Sequence, residues 1–158
     1  MEVYLMRHGE AVAGANDAAR LLTERGREQV HRVARHTAAF GIRVAEIRHS
    51  GKLRARQTAE ILAERLAPGR VILEVKGLGP ADDPGISLAD LEAARDPVML
   101  VGHLPHLGRL ASSLLLGDPG KEIIRFGEAA LVCLVRAERA WRLHWILTPE
   151  LVSARVSA

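Results

Sequence analysis

Short apolar runs alternate with helix-periodic stretches along most of this chain, and that alternation restricts its fold more than any other feature. Glu2–Met6 is a strand-like run that leads into the turn Arg7-His8-Gly9, as a buried first strand does. Residues 11–22 are small and polar and read as a loop. Thr23 fits an N-cap, opening a helix to about Phe40 with Val30, Val33, Ala34 and Thr37 on one face. Val44–His49 reads as a second strand, Leu53–Leu66 as a helix stopped by Pro68-Gly69, and Val71–Val75 as a third strand. Ser87 with Asp90 resembles a capping box and predicts a short helix to about Arg95. Pro97–Gly102 reads as a buried strand, and Pro105 opens a helix ending near Leu116-Gly117. Two or three strands, at about 122–126, 130–136 and 141–147, close the chain. The pattern predicts an α/β fold: a single-domain layered sheet, mostly parallel with an antiparallel edge, and helices on both faces.

The bulk properties exclude several function classes. A length of 158 residues suits one domain, residues 1–158, with no internal repeat or dividing linker. No apolar run approaches the roughly 18 residues of a membrane span. The N-terminus enters a strand directly, without a basic segment or cleavage site, so a cytoplasmic location is expected. A net charge of +3 with scattered arginines is too little for nucleic-acid binding. Cys133 is the sole cysteine, which rules out an internal disulfide; its apolar surroundings predict a buried, inert thiol. Monomer is the default for so small a domain.

Ligands of open α/β sheets bind beyond the carboxyl ends of the strands. Two predicted strands end there in histidine, at Arg7-His8-Gly9 and at Gly102-His103, and Arg54 lies in the first turn of the helix after the second strand. Phosphoryl chemistry uses such a set. Guanidinium forks neutralise the equatorial oxygens. An imidazole nitrogen can attack phosphorus, dividing one hard displacement into two easier ones. A second imidazole can donate to the oxygens. Gly9 lets the backbone approach a phosphate closely.

The segment Leu5-Met6-Arg7-His8-Gly9-Glu10 resembles the signature of the histidine phosphatase superfamily, the phosphoglycerate mutase-like proteins. Leu22-Thr23-Glu24-Arg25-Gly26, His49-Ser50-Gly51-Lys52-Leu53-Arg54-Ala55-Arg56-Gln57-Thr58-Ala59 and Val101-Gly102-His103 resemble further blocks of that family, in the same order. The short chain, the Gly102-His103-Leu104-Pro105-His106-Leu107-Gly108 segment and the closing Trp145-Ile146-Leu147-Thr148-Pro149 are similar to the small SixA-type phosphohistidine phosphatases. The resemblance implies a phosphoglycerate mutase-like fold and no metal or other cofactor. It implies His8 as a nucleophile that becomes phosphorylated, with Arg7, Arg54 and His103 as the phosphate pocket. It also implies a partner: a phosphorylated histidine-containing protein of a phosphorelay or phosphotransfer system.

The general acid is open. Asp82 and Asp83, in the segment where larger relatives carry a carboxylate, are candidates, although acidic residues are also ordinary in a Pro/Gly turn. Glu10 is another candidate, or else orients Arg7 or His8. A protonated phosphohistidine leaves as neutral imidazole, so it depends less on an enzymatic acid than an ester does. Ser50 and His106 are candidates to line the pocket, and Asp17 can pair with Arg20 over it. His31, His36, His49 and His144 form no convincing metal pair, and Trp141 and Trp145 are expected to share one face as packing residues. Two other functions fit the same residues: a broad-specificity or small-molecule phosphomonoesterase, and an inactive phosphoprotein-binding module. Retention of Arg7, His8, Arg54 and His103 together argues against the second.

Overall fold

A computed structural model of the protein describes residues 1–152. Its elements are β1 (Glu2–Arg7), a 3-10 turn (Asp17–Ala19), α1 (Glu24–Ala39), β2 (Glu46–His49), α2 (Leu53–Leu66), β3 (Ile72–Glu74), α3 (Pro84–Ala93), β4 (Val98–Gly102), α4 (His106–Leu116), β5 (Leu131–Ala137) and β6 (Ala140–Leu147). The strands form one sheet in the order β3-β2-β4-β1-β5-β6. β3, β2, β4 and β1 run parallel, and β5 and β6 add antiparallel along the side of β1. The mixed α/β architecture is the one the alternating sequence predicts. Among the described residues no helix is long and apolar enough to cross a membrane.

Each face of the sheet carries its own apolar layer. Tyr4, Met6, Ile47, Met99, Val101, Leu131 and Cys133 face one side, where Val30 and Val33 of α1 and Leu62 and Leu66 of α2 cover them. Val3, Leu5, Val98, Leu100, Val132 and Leu134 face the other, beneath Leu91 of α3 and Leu107, Leu110 and Leu114 of α4. The two-residue period of β1 therefore divides its side chains between the layers, and both faces are closed to water.

Three local expectations give way. α3 begins at Pro84, not at Ser87, because Asp83 caps it by accepting from Gly85 N–H at 2.9 Å and Pro84 has no N–H to leave unpaired. Ser87 lies inside the helix and donates instead to the Gly77 carbonyl at 2.9 Å. Residues 122–126 form no strand. Ile124 and Phe126 are buried with an exposed residue between them, so the sequence alternates like a strand. Both sides of β1 are taken by β4 and β5, and the segment instead buries Ile124 and Phe126 in the apolar layer beneath α3 and α4 without pairing. Finally, Trp141 and Trp145 occupy opposite faces. The register slips between Cys133 and Leu134, which pair with Trp145 and Leu143 and leave His144 as the extra residue of a bulge. Trp145 thus packs with Tyr4 in one layer at 5.9 Å between ring centroids, and Trp141 packs in the other, under the Arg136 guanidinium.

Candidate active site

Parallel pairing sets Arg7 of β1 beside Gly102 of β4, and His49 of β2 beside Val101. Ser50, His8 and His103 therefore follow directly from the carboxyl ends of three adjacent strands. The His8 N–H donates to the Gly102 carbonyl at 3.2 Å, which joins the first loop to the strand before His103. The two imidazoles lie with ring centroids 5.1 Å apart.

His8 is buried, and its Nδ1 lies 2.7 Å from the Gly9 carbonyl oxygen. A carbonyl only accepts, so the proton resides on Nδ1 and Nε2 keeps its lone pair. Arg54 Nε donates to that Nε2 at 3.3 Å, in agreement with the same tautomer. Burial, together with the nearby Arg54 and Arg7 charges, pushes the His8 pKa down to about 4 against the pull of the Gly9 hydrogen bond. His8 is thus neutral near pH 7, with one nitrogen available to attack.

His103 is also buried, and its Nε2 lies 2.5 Å from Ser50 Oγ. Ser50 Oγ also accepts from Lys52 N–H at 3.4 Å. His103 Nδ1 is a buried atom without a hydrogen-bond partner among the described residues. Burial, with the charges of His8 and Arg54, pushes the His103 pKa down to about 3. Arg7 donates through Nη1 to the Phe126 carbonyl at 3.0 Å, and its buried Nε likewise has no partner among the described residues. Buried donors left unpaired are costly unless an acceptor completes them. An anion among these residues would do so.

Arg54 is 4 % exposed although charged. Its outer nitrogens are taken by Asp17: Nη1 donates to the Asp17 carbonyl at 2.7 Å, and Nη2 lies 3.2 Å from Oδ1. The same carboxylate pairs with Arg20 at 3.1 Å, as the sequence suggests, and with Lys52 at 2.5 Å, which the sequence does not suggest. These cations hold Asp17 well below the usual carboxylate range, Lys52 most of all. Lys52 is 35 residues from Asp17 in the chain, so no local pattern links them.

Glycine fixes where the first loop can sit. A Cβ on Gly26 would lie 2.1 Å from the Glu10 carbonyl oxygen, and one on Gly9 would lie 2.6 Å from the Gly26 carbonyl oxygen. The loop after β1 and the first turn of α1 thus meet backbone to backbone. Gly9 N–H also donates to Thr58 Oγ1 at 3.2 Å, which ties the loop to α2.

The candidate acids each make local contacts. Asp82 accepts from Gly79 N–H at 2.8 Å within its own turn, and Asp83 caps α3. Glu10 accepts from Thr23 Oγ1 at 2.8 Å and pairs with Arg25 at 3.6 Å, at the start of α1. None of the three is hydrogen-bonded to His8, Arg7, Arg54 or His103. His106 opens α4, fully buried, with both ring nitrogens unpartnered among the described residues; burial lowers its pKa.

This fold and this grouping of imidazoles and guanidiniums define a phosphatase-type hydrolase on a phosphoglycerate mutase-like scaffold. Residues 3–77 match the histidine phosphatase superfamily, branch 1, and the chain belongs to that superfamily. It is 40% identical over 131 residues to an uncharacterised protein of Picosynechococcus sp., covering 78% of each chain. It is 28% identical over 155 residues to the phosphohistidine phosphatase SixA of Escherichia coli (strain K12), covering 94% of each. A solved structure of the protein histidine phosphatase SixA complexed with tungstate matches it with a TM-score of 0.86 at 27% identity, over 97% of this chain and 100% of that one.

Proposed function

We propose that the protein is a phosphohistidine phosphatase that passes the phosphoryl group through His8. The observation that carries the reading is the state of His8: neutral, with its proton held on Nδ1 by the Gly9 carbonyl and Nε2 beside the Arg54 guanidinium. The similarity to SixA supports the same substrate class.

In the first step the Nε2 lone pair of His8 forms a bond to phosphorus while the phosphorus–nitrogen bond of the substrate breaks. The leaving imidazole keeps the electron pair of that bond. When its remote nitrogen already carries a proton, it departs neutral and requires none from the enzyme. Arg7, Arg54 and the His103 imidazole take the growing charge on the equatorial oxygens. In the second step water attacks phospho-His8, loses a proton to solvent, and releases inorganic phosphate with His8 restored. Glu10, Asp82 and Asp83 are each engaged in local hydrogen bonds, and a phosphohistidine substrate, unlike an ester whose alkoxide needs a proton as the bond breaks, does not depend on any of them.

The test is to offer the protein a labelled phosphohistidine protein and p-nitrophenyl phosphate. Faster turnover of the phosphohistidine protein and acid-labile label on the peptide containing His8 are expected. Rapid ester hydrolysis with none of phosphohistidine would make it a phosphomonoesterase. Label trapped on a peptide lacking His8 would refute the intermediate.

A further inference from the structure

Glu2, Cys133 and His144 bring a carboxylate oxygen, a thiol sulfur and an imidazole nitrogen within 4.8 Å of one another, away from the phosphoryl site. They come from three adjacent strands: β1, β5 and β6. Cys133 pairs with Tyr4, four residues before His8, which puts the cluster about 13 Å back along β1. Two features argue that this grouping is built. The bulge between Cys133 and Leu134 inserts His144 beside Trp145; in an unbroken ladder, alternation would turn His144 away from the face that Trp145 and Cys133 share. Tyr4 OH also donates to Glu2 Oε2 at 2.6 Å, which fixes that carboxylate as outer-shell partners fix metal ligands, and leaves Oε1 facing His144.

We propose that Glu2, Cys133 and His144 bind a divalent zinc-class cation. His144 Nδ1 lies 4.0 Å from Cys133 Sγ and 4.0 Å from Glu2 Oε1. The three donor atoms all lie within 4.8 Å of one another; tetrahedral zinc with its usual bond lengths sets such donors about 3.5 Å apart, so closure needs side-chain movements of about half an ångström to somewhat over one ångström. Mixed sulfur, nitrogen and oxygen donors suit zinc and disfavour magnesium or calcium, which take oxygen. Glu2 and His144 line a groove of about 500 Å³ with His36, Phe40 and Trp145, which gives an ion access to two of the three ligands and leaves a fourth position for water, while Cys133 itself is buried. Burial and the Glu2 charge push the unmetallated thiol up to about 12; on binding, its proton passes to solvent and the thiolate charge is neutralised by the ion. The bound ion clasps the outer hairpin strand to β1.

Titration with Co²⁺ and Zn²⁺ alone tests this. The full chain should bind one ion, with a thiolate-to-cobalt charge-transfer band and tetrahedral visible bands, release one proton per ion, and unfold at higher temperature with Zn²⁺. His144→Ala alters a half-exposed residue and should fold and hydrolyse substrate normally. It should weaken binding at least about tenfold, in line with loss of one ligand. Cys133→Ser should abolish the charge-transfer band. A cobalt spectrum without that band in the unaltered protein, or binding unchanged in His144→Ala, would overturn the proposal.

Discussion

The carboxylate of Asp17 lies 3.2 Å from the Arg54 guanidinium, so the cation beside His8 is already partnered by an anion of the same chain. A substrate phosphate must share or displace that partner. The Asp17 carboxylate is half exposed, so each of its ion pairs contributes little to stability. Its main-chain carbonyl, which no substitution removes, also holds Arg54. Asp17→Asn should therefore lower KM for phosphorylated substrates by up to about fivefold, the equivalent of an exposed pair worth about 1 kcal/mol, with kcat little changed. A large fall in kcat in steady-state assays would mean that the carboxylate positions Arg54.

Ser50 and His103 form the next pair to separate. Ser50→Ala removes the partner of His103 Nε2 while leaving the imidazole buried. A fall in kcat of about tenfold with KM nearly constant is expected, since a tilted donor weakens stabilisation that grows in the transition state. His103→Ala should cost more, on the order of a hundredfold to a thousandfold, as for removal of a single oxyanion donor. Equal losses in the two variants would place Ser50 itself on the substrate.

The histidine pKa values set an acid limit. His8 near 4 and His103 near 3 both lie below the ordinary value, about 6.5 in an unfolded chain. Below that value the unfolded chain binds protons that the folded one refuses, so stability is full above about pH 6.5 and falls as pH drops toward 4 and then 3. Urea midpoints should decline across that window, and NMR titration of His8 should show a midpoint near 4. A His8 midpoint at its ordinary value would contradict the buried, cation-flanked site.

Gly26→Ala is expected to destabilise by about 1–3 kcal/mol or more, because the added carbon would lie 2.1 Å from main-chain oxygen of Glu10. Gly127→Ala, where a Cβ meets nothing within 4 Å, serves as the control and should leave the urea midpoint unchanged. If both variants behave alike, the backbone contact between the first loop and α1 is not tight.

The sequence makes the sheet legible because both of its periods report burial. β1 and β4 are closed by helices on both faces, and α2 matches the predicted span from Leu53 to Leu66. Residues 122–126 carry the same two-residue burial signal without a neighbour to pair with, and no pattern in a single segment reveals its partner. The convergence of His8, His103 and Arg54 was readable because strand ends in a parallel sheet share an edge. The Lys52–Asp17 and Ser50–His103 contacts span 35 and 53 residues and depend on side-chain direction, which spacing does not encode. The His144 bulge was invisible for a related reason: one inserted residue reverses every face assignment beyond it, and nothing in the sequence near Trp141 or Trp145 marks the insertion.

The hydrogen bond from His8 Nδ1 to the Gly9 carbonyl has a stereochemical consequence. With that nitrogen occupied by a proton, only the opposite one can take a phosphoryl group, so a phosphorylated form of this protein must be the single regioisomer substituted at Nε2. Phosphorus NMR separates the two isomers of phosphohistidine. A trapped sample would thus report, in one resonance, which edge of the ring the backbone has left open.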